Sequence, residues 1–196
     1  IEKRKTLVDL VRKISQSINI PFTVGGGINT INDVSDIIEA GADKICINSS
    51  AVKNPSLITD ISRRFGNQCV VVAVDTMFVA GNWRVYINGG NTATSFQAIS
   101  WARQTEDMGA GEILLTSISS DGMKSGFSID ITSQIANAVS LPVIASGGAG
   151  SMTDFYNVFS QTKASGALAA SVFHYGQVSI EALKQFLSKQ NIPVRL

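Results

Sequence analysis

The chain has 196 residues, with 16 lysines and arginines against 15 aspartates and glutamates, so its formal net charge is +1. That balance lacks the basic excess by which nucleic-acid binders and proteins of anionic membrane surfaces hold their partners. Hydrophobic residues at 44% and charged residues at 16% fit a globular chain with a large core, while no apolar run nears the about 18 residues of a bilayer span.

Ile1 is not methionine, and Glu2-Lys3-Arg4-Lys5 leads straight into Leu7, Leu10, Val11 and Ile14 at helical spacing, with no N-cap before them. This opening has no signal-peptide pattern and reads as the inside of a larger domain. Two cysteines, Cys46 and Cys69, make no disulfide framework, which predicts a reduced, cytoplasmic setting. One histidine, His174, excludes a multi-histidine metal site. No metal or cofactor is expected.

Six short apolar runs predict buried parallel strands, because they lack polar alternation. They are Phe22–Val24, Ile45–Ile47, Val70–Val74, Ile113–Leu115, Val143–Ala145 and Ala167–Ala170. Each ends in Gly, Ser, Thr, Asn or Asp and then passes into a helical pattern. Helices are expected around 31–40, 55–65, 94–108, 129–139, 152–161 and 179–189, with Asn32 or Asp33 and Asn54-Pro55 as start signals. Val79–Trp83 and Val85–Ile87 interrupt the alternation and predict a hairpin after the third strand.

Repeated strand–helix units mean a parallel sheet with helices outside it. An internal repeat selects the closure. Pro21–Gly27 (PFTVGGG) matches Pro142–Gly148 (PVIASGG) at an offset of 121 residues, Asp33 matches Asp154, and Ile47–Val52 resembles Leu168–Phe173 with a short slip. Two such halves span about 242 residues, near the ~250 of a (βα)8 barrel. The expectation is therefore a single domain over 1–196, a TIM barrel of ribulose-phosphate-binding type truncated at its N-terminus to about six strands.

Gly25-Gly26-Gly27 with Asn48-Ser49, and Ser146-Gly147-Gly148 with Ala170-Ser171, read as a pair of phosphate sites. Glycine lets backbone N–H groups approach an anion, and a helix N-terminus beyond adds partial positive charge. A ligand with two phosphates follows. Asp75 ends the third strand, where barrel enzymes place their chemistry, and is the candidate general acid or base. Asp121–Phe127 predicts an ordered loop able to fold over a ligand. Lys44 and Glu112, at the opposite strand ends, read from position alone as solvated rim charges. Cys46, Cys69 and His174 read as structural.

PFTVGGGI (21–28), ADKICINSSAV (42–52), Val70–Asp75, GAGEILLTS (109–117), DGMKSGF (121–127), ASGGAG (145–150) and AASVFH (169–174) together resemble the cyclase subunit family of imidazole glycerol phosphate synthase, from Glu2 to Leu196. The resemblance implies a lyase of histidine biosynthesis. Ammonia from a partner glutaminase attacks a bisphosphorylated ribulosyl-formimino-carboxamide ribonucleotide, giving imidazole glycerol phosphate and aminoimidazole carboxamide ribonucleotide. It implies that Asp75 is one of two catalytic aspartates, that Gly27, Asn48 and Ser49 hold one phosphate, and that Gly122, Gly148, Ala170 and Ser171 hold the other. Thr116, Asp121 and Ser146 would line the substrate, Lys44 and Glu112 would belong to a charged ammonia gate, and Asp43 would face the glutaminase.

The family's other aspartate lies on a first strand with no counterpart here, and Ser119-Ser120, Met123 and Gln161–Gly166 depart from its usual residues. The 196 residues alone are thus expected to be inactive, and either to self-associate through exposed sheet edges or to form an open, distorted barrel. Three alternatives stand beside this: the phosphoribosyl-formimino isomerase of the same pathway, a non-catalytic bisphosphate-binding fragment, and a cyclase-like subunit of sugar modification.

Overall fold

A computed structural model describes residues 2–196. Ile1, and with it the reading of the chain's first residue, lies outside the described residues. The fold is of the α/β class, with parallel strands each followed by a helix, as in the six-stranded portion of a (βα)8 barrel. Contacts divide the chain into two compact units: residues 1–73 with 105–112, and residues 74–104 with 113–196.

The first unit holds α1 (Glu2–Ser15), β1 (Thr23–Gly25), α2 (Ile31–Glu39), β2 (Lys44–Ile47), α3 (Ser49–Lys53), α4 (Ser56–Phe65), a 3-10 turn (Asn67–Cys69) and the start of β3 (Val70–Val79). Its strands pair in parallel, Val24 beside Ile45 and Ile45 beside Val70. Ile45 and Ile47 on one face of β2 are buried, while Lys44 and Cys46 on the other are half-buried. Val34 and Ile37 of α2 and Leu57, Ile58 and Ile61 of α4 supply the covering apolar stripes, each such side chain stabilising by about 1.5–3 kcal/mol. The apolar stripe foreseen on α1 is covered only in part: Val11 is buried, whereas Leu10 is 52% exposed.

The second unit holds the rest of β3, β4 (Asn82–Ile87), β5 (Thr92–Gln97), the first two turns of α5 (Ala98–Asp107), β6 (Glu112–Ser117) from Ile113 on, α6 (Ile129–Ala138), β7 (Val143–Ser146), α7 (Met152–Gln161), β8 (Gly166–Leu168), α8 (Ser171–His174) and α9 (Ile180–Lys189). Strand order is β3-β6-β7-β8, with β4 antiparallel on β3 and β5 antiparallel on β4. Three boundaries differ from expectation. The hairpin turns at Ala80-Gly81, so β3 itself runs on to Val79. Residues 92–97 form a third antiparallel strand instead of opening the helix, because Thr92, Thr94 and Phe96 alternate and are β-formers. β8 ends at Leu168, since Ala170 already caps α8.

The second unit's core gathers Phe127, Ala145, Phe155, Val158, Val172 and Leu183. Phe155 is 2% exposed and lies edge-on to Phe127 at 5.3 Å. Phe155→Ala is expected to destabilise by about 3–5 kcal/mol, read as a lower urea midpoint. Among the described residues no helix is long and apolar enough to cross a membrane, and no cluster of His, Cys, Asp or Glu is arranged to hold a metal ion.

Candidate functional site

Each unit has a cavity at the C-terminal ends of its parallel strands. In the first, a cavity of about 310 Å³ is lined by Gly25–Asn29, Cys46–Ser50 and Ala73. Gly27, Asn48 and Ser49, singled out in the sequence, are therefore together. In the second, a cavity of about 290 Å³ is lined by Asp121, Gly122, Ser146–Ala149 and Leu168–Ser171. Six further expected residues thus meet there: Asp121, Gly122, Ser146, Gly148, Ala170 and Ser171.

The two cavities share one local construction. Gly26 and Gly27 have φ of 93° and 69°, and Gly147 and Gly148 have φ of 88° and 103°, all in the left-handed region that glycine permits. Asn48 and Ala170 are the N-caps of the short helices α3 and α8. The carbonyl of Asn48 accepts from Val52 N, and that of Ala170 from His174 N. Ser49 and Ser171 thereby stand first in those helices, 122 residues apart, which identifies the slip in the repeat as a single residue.

The longer helices after the glycine turns are closed differently from expectation. Thr30 and Ser151 are N-caps of α2 and α7, each completing a capping box with the aspartate three residues on, Asp33 or Asp154. These N-termini are thus occupied by the protein's own carboxylates. Partial positive charge at α2 and α7 is already answered by these carboxylates.

The Asp121–Phe127 loop opens in turns, and its Asp121 and Gly122 line the second cavity. Gly126 N donates to Gly148 O at 2.8 Å, and Lys124 Nζ donates to Gln177 Oε1 at 2.9 Å. Below it, the buried Ser117 shares hydroxyl hydrogen bonds with Ser120 at 3.1 Å and Ser119 at 3.4 Å.

Asp75 lies in β3 opposite Tyr86, half-buried between the buried Val74 and Thr76. Thr76 Oγ1 donates to Thr116 O at 3.2 Å, joining β3 to β6 at this level. Thr116 pairs in register with Ser146, and Ser146 with Leu168. The half-buried, inward parity of β6 and β7 falls on Thr116 and Ser146, the same two residues expected to line substrate. Asp75 thus stands inside β3, which continues to Val79, and not at a strand end as the sequence suggested, and it is not among the residues lining either cavity.

Lys44 Nζ is bonded to Glu112 Oε2 in an ion pair within the first unit. The positional reading of these residues as solvated rim charges is corrected: the Glu112 side chain is only 12% exposed. A carboxylate so far removed from water needs a charged partner, and Lys44 supplies it. Asp43 is exposed, and its Oδ2 accepts from Phe22 N at 2.9 Å. His174 is exposed beside Tyr175, with ring centroids 5.0 Å apart. Cys69 Sγ donates to Phe65 O at 3.3 Å. Sequence reasoning missed the cavity position of Cys46; its even parity with Lys44 along β2 was the available signal.

Comparison with known proteins adds lineage to this geometry. The family model described as "Histidine biosynthesis protein" matches residues 1–179. Imidazole glycerol phosphate synthase subunit HisF from a Hydrogenobaculum species is 54% identical over 196 residues, covering all of this chain and 78% of the relative. The proteins of the same name from Prochlorococcus marinus subsp. pastoris and Cytophaga hutchinsonii are 51% and 52% identical, again with all of this chain and 78% of each relative covered. The chain therefore belongs to the histidine biosynthesis protein family, in the branch of the HisF cyclase subunits of imidazole glycerol phosphate synthase.

Proposed function

We propose that the chain carries the larger part of that synthase's cyclase site, with each glycine-turn cavity taking one phosphate of the bisphosphorylated ribulosyl-formimino-carboxamide ribonucleotide. The observation that carries this is the shared construction of the two cavities, with paired positive-φ glycines and a hydroxyl residue opening a short helix in each. Gly27, Asn48 and Ser49 bind one phosphate; Gly122, Gly148, Ala170 and Ser171 bind the other. Thr116, Asp121 and Ser146 orient the substrate.

Asp75 transfers protons as ammonia nitrogen adds and the imidazole ring closes, releasing imidazole glycerol phosphate and aminoimidazole carboxamide ribonucleotide. Ammonia comes from a glutaminase partner docked near Asp43, with Lys44 and Glu112 as the gate that admits it. A second aspartate, on the family's first strand, is needed for turnover and has no counterpart in these 196 residues. Among the described residues β1 and β8 end the strand order, and these 196 residues taken alone are expected to pair with another copy there.

The test is turnover with substrate and ammonium salt. The 196-residue polypeptide alone is expected to form no imidazole glycerol phosphate. A chimera carrying the first strand, helix and second strand of the Hydrogenobaculum relative ahead of Ile1 is expected to form it. Robust product from the short polypeptide overturns the requirement for the second aspartate. Turnover without any nitrogen source assigns the chain to the isomerase instead.

A further inference from the structure

The two glycine turns are each held by a carboxylate that touches no ligand position assigned above. Asp33 Oδ2 accepts from Asn29 N at 2.9 Å and from Thr30 N at 3.0 Å. Asp154 Oδ2 accepts from Gly150 N at 2.9 Å, Ser151 N at 2.7 Å and Ser151 Oγ at 3.1 Å. Asn29 and Gly150, Thr30 and Ser151, Asp33 and Asp154 are all 121 residues apart, so both halves carry the same clamp. Asp33 is 3% exposed. A buried carboxylate is retained at such a place only where its hydrogen bonds return the cost of desolvation.

Each turn is also tied at the carbonyl of its last glycine, in the first half by the clamp's own Asn29 and in the second by the 121–127 loop against which the Asp154 clamp sets the turn. Asn29 Nδ2 donates to Gly27 O at 3.0 Å, and Gly126 N donates to Gly148 O at 2.8 Å. A trans peptide is planar, so tying these carbonyls also sets the direction of the next N–H, that of Ile28 or Ala149. Among the described residues, no protein acceptor takes the N–H of Gly27, Ile28, Gly148 or Ala149. Ile28 and Ala149 are buried and line the cavities. Amide donors on a cavity wall with no protein partner are open to an outside acceptor.

We propose that Asp33 and Asp154 are positioning residues, each holding its own glycine turn so that two backbone N–H groups are preset for one phosphate oxyanion. Each carboxylate also occupies the N-terminus of its following helix, which keeps the anion on the turn. The inference rests on the phosphate reading of the cavities, and the experiment separates the two.

Isotope-labelled chain is titrated with inorganic phosphate while the amide signals of Gly27, Ile28, Gly148 and Ala149 are followed. Asp33→Ala is expected to weaken the response of Gly27 and Ile28 about five- to tenfold and to leave Gly148 and Ala149 unchanged. Asp154→Ala is expected to do the reverse. Asp33→Glu, which keeps a capping box, restores binding toward the unsubstituted chain; if the alanine variant fails to fold, Asp33→Asn and Asp33→Glu are compared instead. Lower thermal stability with phosphate affinity unchanged at the variant's own turn overturns the positioning role. Absence of any phosphate response in the unsubstituted chain overturns the phosphate reading itself, and the inference with it.

Discussion

Asp75→Asn, placed in the polypeptide that completes the first strand, is expected to lower kcat with ammonium salt by about 10²–10⁴-fold. Asparagine keeps the size and planarity of the side chain, so strand β3 and its pairing with Tyr86 are retained. What disappears is the ability to take and return a proton. The substitution is expected to leave phosphate titration at Gly27 and Gly148 unaltered, since neither turn is built from β3. A kcat within a few-fold of the unsubstituted enzyme would remove Asp75 from the acid–base role and leave it a structural aspartate of β3. A raised KM with kcat retained would make it a binding residue only.

Gly148→Ala is expected to destabilise by about 3–5 kcal/mol, combining backbone strain with overpacking. Its φ of 103° is closed to side chains, and a Cβ there would overlap the Gly126 carbonyl and approach Ser120 Cβ at 3.1 Å. Neither obstacle is a flexible side-chain tip, so the 121–127 loop must move away and the second cavity loses its wall. Gly27→Ala is the matched control. It has a φ of 69° and nothing within 4 Å of a built Cβ, so only the left-handed penalty of about 1–2 kcal/mol applies. Paired thermal melts of the two variants read the difference. Equal losses would mean that the loop does not press on Gly148.

The strand–helix alternation was legible because buried parallel strands are continuous apolar runs and the turns after them are rich in glycine and hydroxyls. All six runs became strands, five with shifts of a residue or two at their ends and the third prolonged by five residues to Val79. Thr92–Gln97 escaped because its polar composition masks a period-2 pattern that only β4, beside it, turns into a strand. The repeat placed both glycine turns correctly, since identity at matched offsets does not depend on propensity.

Electrostatic pairing was the harder part. Lys44 and Glu112 stand 68 residues apart in sequence and meet only through the fold, so position along a strand suggested solvent for both. Asp33 and Asp154 were visible as matched letters and helix-start signals. Their double acceptance from backbone N–H groups needed coordinates, because the same letters also fit an exposed first-turn aspartate.

The second glycine turn is walled by backbone: a Cβ at Gly147 would lie 2.8 Å from Ser117 O, and one at Gly150 would overlap the Lys124 carbonyl. The first turn has open space around both Gly26 and Gly27. Duplicated halves thus differ in mutational freedom. Drift at Gly26 and Gly27 is limited by backbone dihedral alone, so alanine, asparagine or aspartate can be sampled there singly. In the later half, any change at the turn requires a compensating change in the 117–127 segment, and the two stretches must diversify as a linked pair.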